Sequence, residues 1–133
     1  MSNVVYTLVS EVRWRDMDAF NHVNNASYLG YVEEARVRWF KSLSQDWAGE
    51  TAAPILAAVT VNYRRPISWP ENLRIELIAE RLGSKSLTLG YRISAAGDGG
   101  TLYADGNAVM VWVDRSGQSV LLPETVRKAC GAA

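Results

Sequence analysis

The sequence predicts an α+β fold in which an antiparallel sheet wraps around one long helix. Three observations carry this expectation. Apolar residues recur at helical spacing over one long stretch only, residues 26–43. Later stretches alternate apolar and polar residues with the period of half-buried strands. Clusters of Gly, Pro, Asn, Asp and Ser separate those stretches and supply the backbone conformations of tight turns.

Residues 4–14 open the fold as a strand, because Val, Tyr and Thr favour an extended, half-buried backbone. A polar loop occupies residues 15–25. In residues 26–43, Tyr28, Val32, Ala35, Trp39 and Leu43 share one helix face, which leaves Glu33, Arg36, Arg38 and Lys41 for the others. Glu34 and Arg38 stand at i and i+4 in the favourable order. Asn24 or Asn25 can cap the helix, since a short polar side chain accepts a bond from an unpaired N–H of the first turn. Residues 44–53 are a loop. Val59, Val61 and Tyr63 then alternate with Ala58, Thr60, Asn62 and Arg64 until Pro66 ends the run. Leu73, Ile75 and Leu77 form a second alternation, and Leu87, Leu89, Tyr91 and Ile93 a third. Val109, Val111 and Val113 close the set, with Ala104, Ala108, Met110 and Trp112 on a second face that suggests further burial. Turns at Pro70-Glu71-Asn72, Gly83-Ser84-Lys85, Asp98-Gly99-Gly100 and Ser116-Gly117 space the strands as an antiparallel meander, and residues 123–129 add a short terminal helix. A sheet this small leaves exposed edges, and pairing between subunits is one way to remove them.

At 133 residues the chain fits a single domain, residues 1–133. The formal net charge of zero provides no basic field for nucleic acid. Cys130 is the only cysteine, so no intrachain disulfide forms, and no Cys/His spacing offers a metal site or calls for a cofactor. The first residues carry no basic region followed by an apolar run, and no apolar stretch reaches membrane-spanning length. The expected setting is cytoplasmic, without a membrane partner.

Residues 13–25 are the most unusual stretch. They place Asp16, Asp18, the single histidine His22 and three asparagines, Asn21, Asn24 and Asn25, directly before the helix. A helix N-terminus presents unpaired N–H groups and a partial positive charge. Such a terminus can stabilise an oxyanion, and a carboxylate facing it is what acyl transfer from a thioester requires. The same residue types also collect before helices merely because they bond neighbouring backbone.

The segment resembles the signature of the 4-hydroxybenzoyl-CoA thioesterase family in its acyl-CoA thioesterase branch. Arg13-Trp14, Asp16-Met17-Asp18, His22-Val23-Asn24-Asn25 and Tyr28 stand in that register. Downstream, residues 61–67 resemble the strand after the helix, Ser84-Lys85-Ser86 the usual hairpin, and residues 104–114 the last strand. The resemblance covers most of the chain. It implies the hotdog fold, with the sheet around a central helix, and hydrolysis of an acyl-CoA thioester to free acid and CoA. It also implies a homodimer, or a homotetramer built from it, with each site formed by two subunits.

Carried over by position, Asp18 matches the catalytic carboxylate, as nucleophile or as general base for water. The backbone N–H of Asn25 matches the donor that polarises the thioester carbonyl. His22 orients the loop or the substrate, with general base as the alternative. Asn24 organises the loop or positions water. Tyr28 is core or acyl-pocket wall, and Asp16 is structural. Arg64, Arg65 and Lys85 suit the phosphates of coenzyme A, since guanidinium and ammonium groups bind such oxygens, although strand-end charges are also common on surfaces. Trp14, Trp39 and Trp112 read as core or interface, whereas Trp47 and Trp69 stand where an acyl site would be bordered.

Two other functions compete. A hydratase on the same fold would resemble Asp-x-Asn-Pro-x-His, yet here Asp18 and His22 are four apart and no proline intervenes. A non-catalytic acyl- or CoA-binding module would have no need for a carboxylate at Asp18.

Overall fold

The computed structural model describes residues 3–44, 47, 51–97 and 99–131. Half of the expected 44–53 loop (residues 45–46 and 48–50) and Asp98 of the Asp98-Gly99-Gly100 turn lie outside the described residues. The chain runs β1 (Asn3–Glu11), a 3-10 turn (Trp14–Asp16), a second 3-10 turn (Asn25–Ser27) and α1 (Tyr28–Leu43). It continues through β2 (Ala53–Tyr63), β3 (Asn72–Leu82), β4 (Ser86–Ala95), β5 (Leu102–Val113) and α2 (Glu124–Ala129). The five strands form one sheet in the order β1-β3-β4-β5-β2, every neighbouring pair antiparallel. This is the expected α+β architecture.

The core lies between α1 and the inner face of the sheet. Tyr28, Val32, Ala35 and Trp39 of the expected helix stripe are buried together with Leu73, Ile75 and Leu77 of β3 and Leu87, Leu89, Tyr91 and Ile93 of β4. Burying each of these large side chains contributes roughly 1.5–3 kcal/mol against the entropy of ordering the chain. Tyr91 lies across Gly106 to donate its hydroxyl proton to the Thr60 carbonyl of β2. A Cβ on Gly106 would stand 2.0 Å from that carbonyl oxygen, so glycine is what leaves room for the crossing. Burial pushes the Tyr91 hydroxyl up to about 12.

Three expectations are corrected. The first strand stops at Glu11 rather than Trp14. Val12 donates to the Glu71 carbonyl and Arg13 to the Tyr31 hydroxyl, while the Arg13 carbonyl accepts from Asp16, so the turn takes the groups a ladder would use. The strands are not one meander. Only β3-β4-β5 is, and β2 joins the far edge beside β5. The linker of residues 64–71, with Pro66, buried Ile67 and Pro70, carries the chain across the ends of β5 and β4 to reach β3. Finally, the inner face of β5 is Ala104, Gly106, Ala108, Met110 and Trp112, and the valines face outward, half-buried. Both faces are apolar, so alternation alone does not choose between them.

The expected terminal helix forms as α2, where Arg127 donates to the carbonyls of Gly83 and Ser84 in the β3–β4 turn. No helix among the described residues is long and apolar enough to cross a membrane.

Candidate active site

The loop before α1 is a tight reversal. Met17 and Val23 pair across it, and the Asp18 N–H donates to the His22 carbonyl at 3.0 Å. Asn21 donates to the Asp18 carbonyl at 3.0 Å and adopts a left-handed backbone, φ 63°, which a short polar side chain tolerates. This turn brings Asp18 and His22 together at the mouth of one cleft.

Asp16 anchors the loop from below. Its Oδ2 accepts from Arg13 Nε at 3.0 Å and from the Tyr31 hydroxyl at 2.6 Å, and its carbonyl accepts from the Asn24 N–H at 2.8 Å. The carboxylate raises the Arg13 guanidinium, while burial first and Asp16 second raise the Tyr31 hydroxyl. Asp18 differs: its Oδ1 accepts from the Phe20 N–H at 2.9 Å, and its second oxygen has no hydrogen-bond partner among the described residues.

The start of the helix can be accounted for donor by donor. The Asn24 side chain accepts from the Ala26 N–H at 2.9 Å, and the Asn24 carbonyl accepts from the Ser27 N–H at 2.8 Å. The Asn24 N–H is taken by Asp16. The Asn25 N–H has no acceptor among the described residues, so the second 3-10 turn keeps one unspent donor.

The cleft has a volume of about 560 Å³ and is lined by Asp18, Phe20, His22, Asn24, Asn25, Tyr28, Tyr63, Arg64 and Arg65, among others. Seven of the eight residues expected at the site therefore meet. Tyr28 is 2% exposed, forms both core and cleft wall, and is raised by burial. Arg64 holds Asp105 through two bonds of 3.0 and 3.3 Å, whereas the Arg65 guanidinium has no ion pair among the described residues.

Lys85 is the residue that one chain does not bring here. It lies in the β3–β4 turn, beside Trp112 whose N–H it accepts, while Arg64 and Arg65 donate to the Tyr103 carbonyl at the other end of β5. Nine residues of extended strand separate those levels, roughly 30 Å. Nor do the two loop tryptophans border this cleft. Trp69 packs edge to face on Trp14 at 5.1 Å, and Trp47 stacks on Phe40 at 5.9 Å beside a second, apolar cavity of about 510 Å³ at the C-terminal end of α1. Phe20, 82% exposed, and Tyr63, 49% exposed, line the cleft without having been expected there. The signal for Phe20 was its place inside the Asp18–His22 turn. Tyr63 offered only its position beside Arg64-Arg65. Among the described residues no three His, Cys, Asp or Glu side chains gather as metal ligands.

Long-chain acyl-CoA thioesterase FadM of Escherichia coli K12 is 33% identical over 116 residues, 86% of this chain and 87% of that protein. YsmA of Bacillus subtilis 168 is 35% identical over 80 residues, 60% of this chain, and the match spans about half of YsmA, 54%. The solved structure of a thioesterase from Thermus thermophilus, complexed with coenzyme A and Zn, superposes with a TM-score of 0.83 at 33% identity, covering 98% of this chain and all of that one (100%). Residues 12–130, which include the whole cleft, match the family model of the thioesterase-like superfamily, and the chain belongs to that family.

Proposed function

We propose that this protein hydrolyses acyl-CoA thioesters in the Asp18 cleft. The observation that carries the reading is the meeting in one cleft of two groups without a partner among the described residues, a carboxylate oxygen of Asp18 and the backbone N–H of Asn25. A thioester carbonyl oxygen received by the Asn25 N–H becomes more electrophilic at carbon, and the amide stabilises the tetrahedral oxyanion. Asp18 takes the proton of an attacking water, or attacks directly and yields an anhydride that water then opens. Either route breaks the carbon–sulfur bond, releases the CoA thiolate, which takes up a proton, and needs the ionised carboxylate. The CoA-bound Thermus thioesterase and the acyl-CoA activity named for FadM support the substrate class. Arg65, exposed and unpaired among the described residues, suits the CoA phosphates.

The working form in this reading is a homodimer joined through β2, or a tetramer assembled from it. β2 is an eleven-residue edge strand with Ile55 and Leu56 50% and 40% exposed, a surface that soluble proteins ordinarily cover. Arg36, on α1 near Tyr91, is only 6% exposed yet has no hydrogen bond or ion pair among the described residues, and burial lowers its pKa. Its side-chain nitrogens are not fully sealed from solvent in the single chain, and a second copy across β2 that covered them would supply acceptors. Antiparallel pairing of β2 with itself would set the Ala53 end of one copy beside the Tyr63 end of the other. That would also carry the Lys85 turn and the apolar cavity toward the second copy's cleft.

The test is release of free thiol from acetyl-, long-chain and aromatic acyl-CoA. Turnover, strongest for an apolar acyl group, is expected; no release from any of them would leave a binding module. Light scattering at micromolar concentration should give at least twice the 14.7 kDa chain mass. A monomer would refute the shared site.

A further inference from the structure

We infer that Tyr63 is a positioning residue that holds the oxyanion donor in place; the inference rests on the hydrolase reading above. Its hydroxyl donates to the Asn25 carbonyl at 2.9 Å, across 38 residues of sequence. Besides the helical hydrogen bonds that continue the turn into α1, this bond and that from the Asn24 N–H to the Asp16 carbonyl tie the Asn24–Ser27 turn to the described chain around it. They act on opposite sides of Asn25. Asp16 fixes the residue before it, and Tyr63 fixes its own carbonyl, so the direction of the intervening N–H is set from both flanks.

The tether comes from a rigid support. Tyr63 is the last residue of β2 and pairs with Ala104 of β5, which is completely buried (0%). Its ring meets the Tyr28 ring edge to face at 5.0 Å, and Tyr28 is the first residue of α1. The phenol thus spans from the sheet edge to the helix N-terminus, and its hydroxyl is oriented by a packed ring rather than by a flexible stem. An oxyanion donor contributes most when its geometry is set before charge develops, because no reorganisation then opposes the reaction. With its proton given to the Asn25 carbonyl, the hydroxyl acts on the rate through that geometry.

Tyr63→Phe keeps the ring contact and removes the bond. The expected result is a fall in kcat of about tenfold with KM within twofold of the parent, and unchanged thermal unfolding. The amide 15N–1H resonance of Asn25 should shift, while those of β3 and β4 stay in place. Tyr63→Leu, which removes the ring as well, should lower the unfolding temperature, separating packing from positioning. Combining Tyr63→Phe with Asn25→Pro, which deletes the amide itself, should cost no more than Asn25→Pro alone. A Tyr63→Phe enzyme with kcat within twofold of the parent, or a double variant that shows the full product of the two losses, overturns the inference. An inactive parent enzyme would instead overturn the hydrolase reading.

Discussion

Asp18→Asn is expected to reduce thiol release from the best acyl-CoA by about 10²–10⁴-fold, the range supplied by a positioned base, while the fold and assembly stay as they are. Little else should change, because the turn does not depend on the charge. The amide oxygen of Asn can still accept the Phe20 N–H, now made by Oδ1 of Asp18, and the bonds with His22 and Asn21 are backbone to backbone. Asn is also favoured in turns of this type. What is lost is the second oxygen as an anionic base or nucleophile. Circular dichroism and light scattering identical to the parent would show that the loss is chemical. Turnover within tenfold of the parent would remove Asp18 from the mechanism. If His22→Ala then abolished activity, the base would be the imidazole that shares the cleft.

Asn25→Pro should lower kcat by roughly 10²–10³-fold, the usual consequence of removing one oxyanion donor. Proline ordinarily breaks structure, but this position suits it. Asn25 opens a 3-10 turn, and the first helical position tolerates proline because its N–H is unpaired there anyway. The residue before a proline must be extended, and Asn24 already is, at φ −57° and ψ 135°. The substitution therefore removes an N–H that has no acceptor among the described residues, and few other bonds. Asn25→Ala, which keeps the amide, should retain activity within a few-fold. Full activity of the proline variant, or equal loss in both, would show that the donor lies elsewhere.

Much of this site was legible in the residues themselves. Asn24 caps the helix start through its own side chain two residues on, a bond whose two ends lie side by side in the sequence. Asp16 serves structure, as its neighbours Arg13 and Tyr31 show. The Asp18–His22 reversal is likewise closed by groups four residues apart. Tyr63 could not be found this way, because its partner is 38 residues distant and the bond exists only once β2 has reached the sheet edge. The pairing of Arg64 with Asp105 was hidden for the same reason, since its two ends stand 41 residues apart.

The sequence by itself determined the α1 stripe, the strand and turn pattern, and the cluster that enters the cleft, since each follows from side-chain period or from bonding within a few residues. The tertiary structure decided the rest. It put β2 beside β5 rather than β3, turned the small residues and aromatics of β5 inward, and moved Lys85 to the end of the sheet opposite Arg65. The physical reason is common to all three. A strand carries the same hydrogen-bonding groups on both edges, so its neighbour is chosen by long-range packing and by how far a linker can cross. An apolar residue is likewise assigned to a face only when α1 has covered one of them.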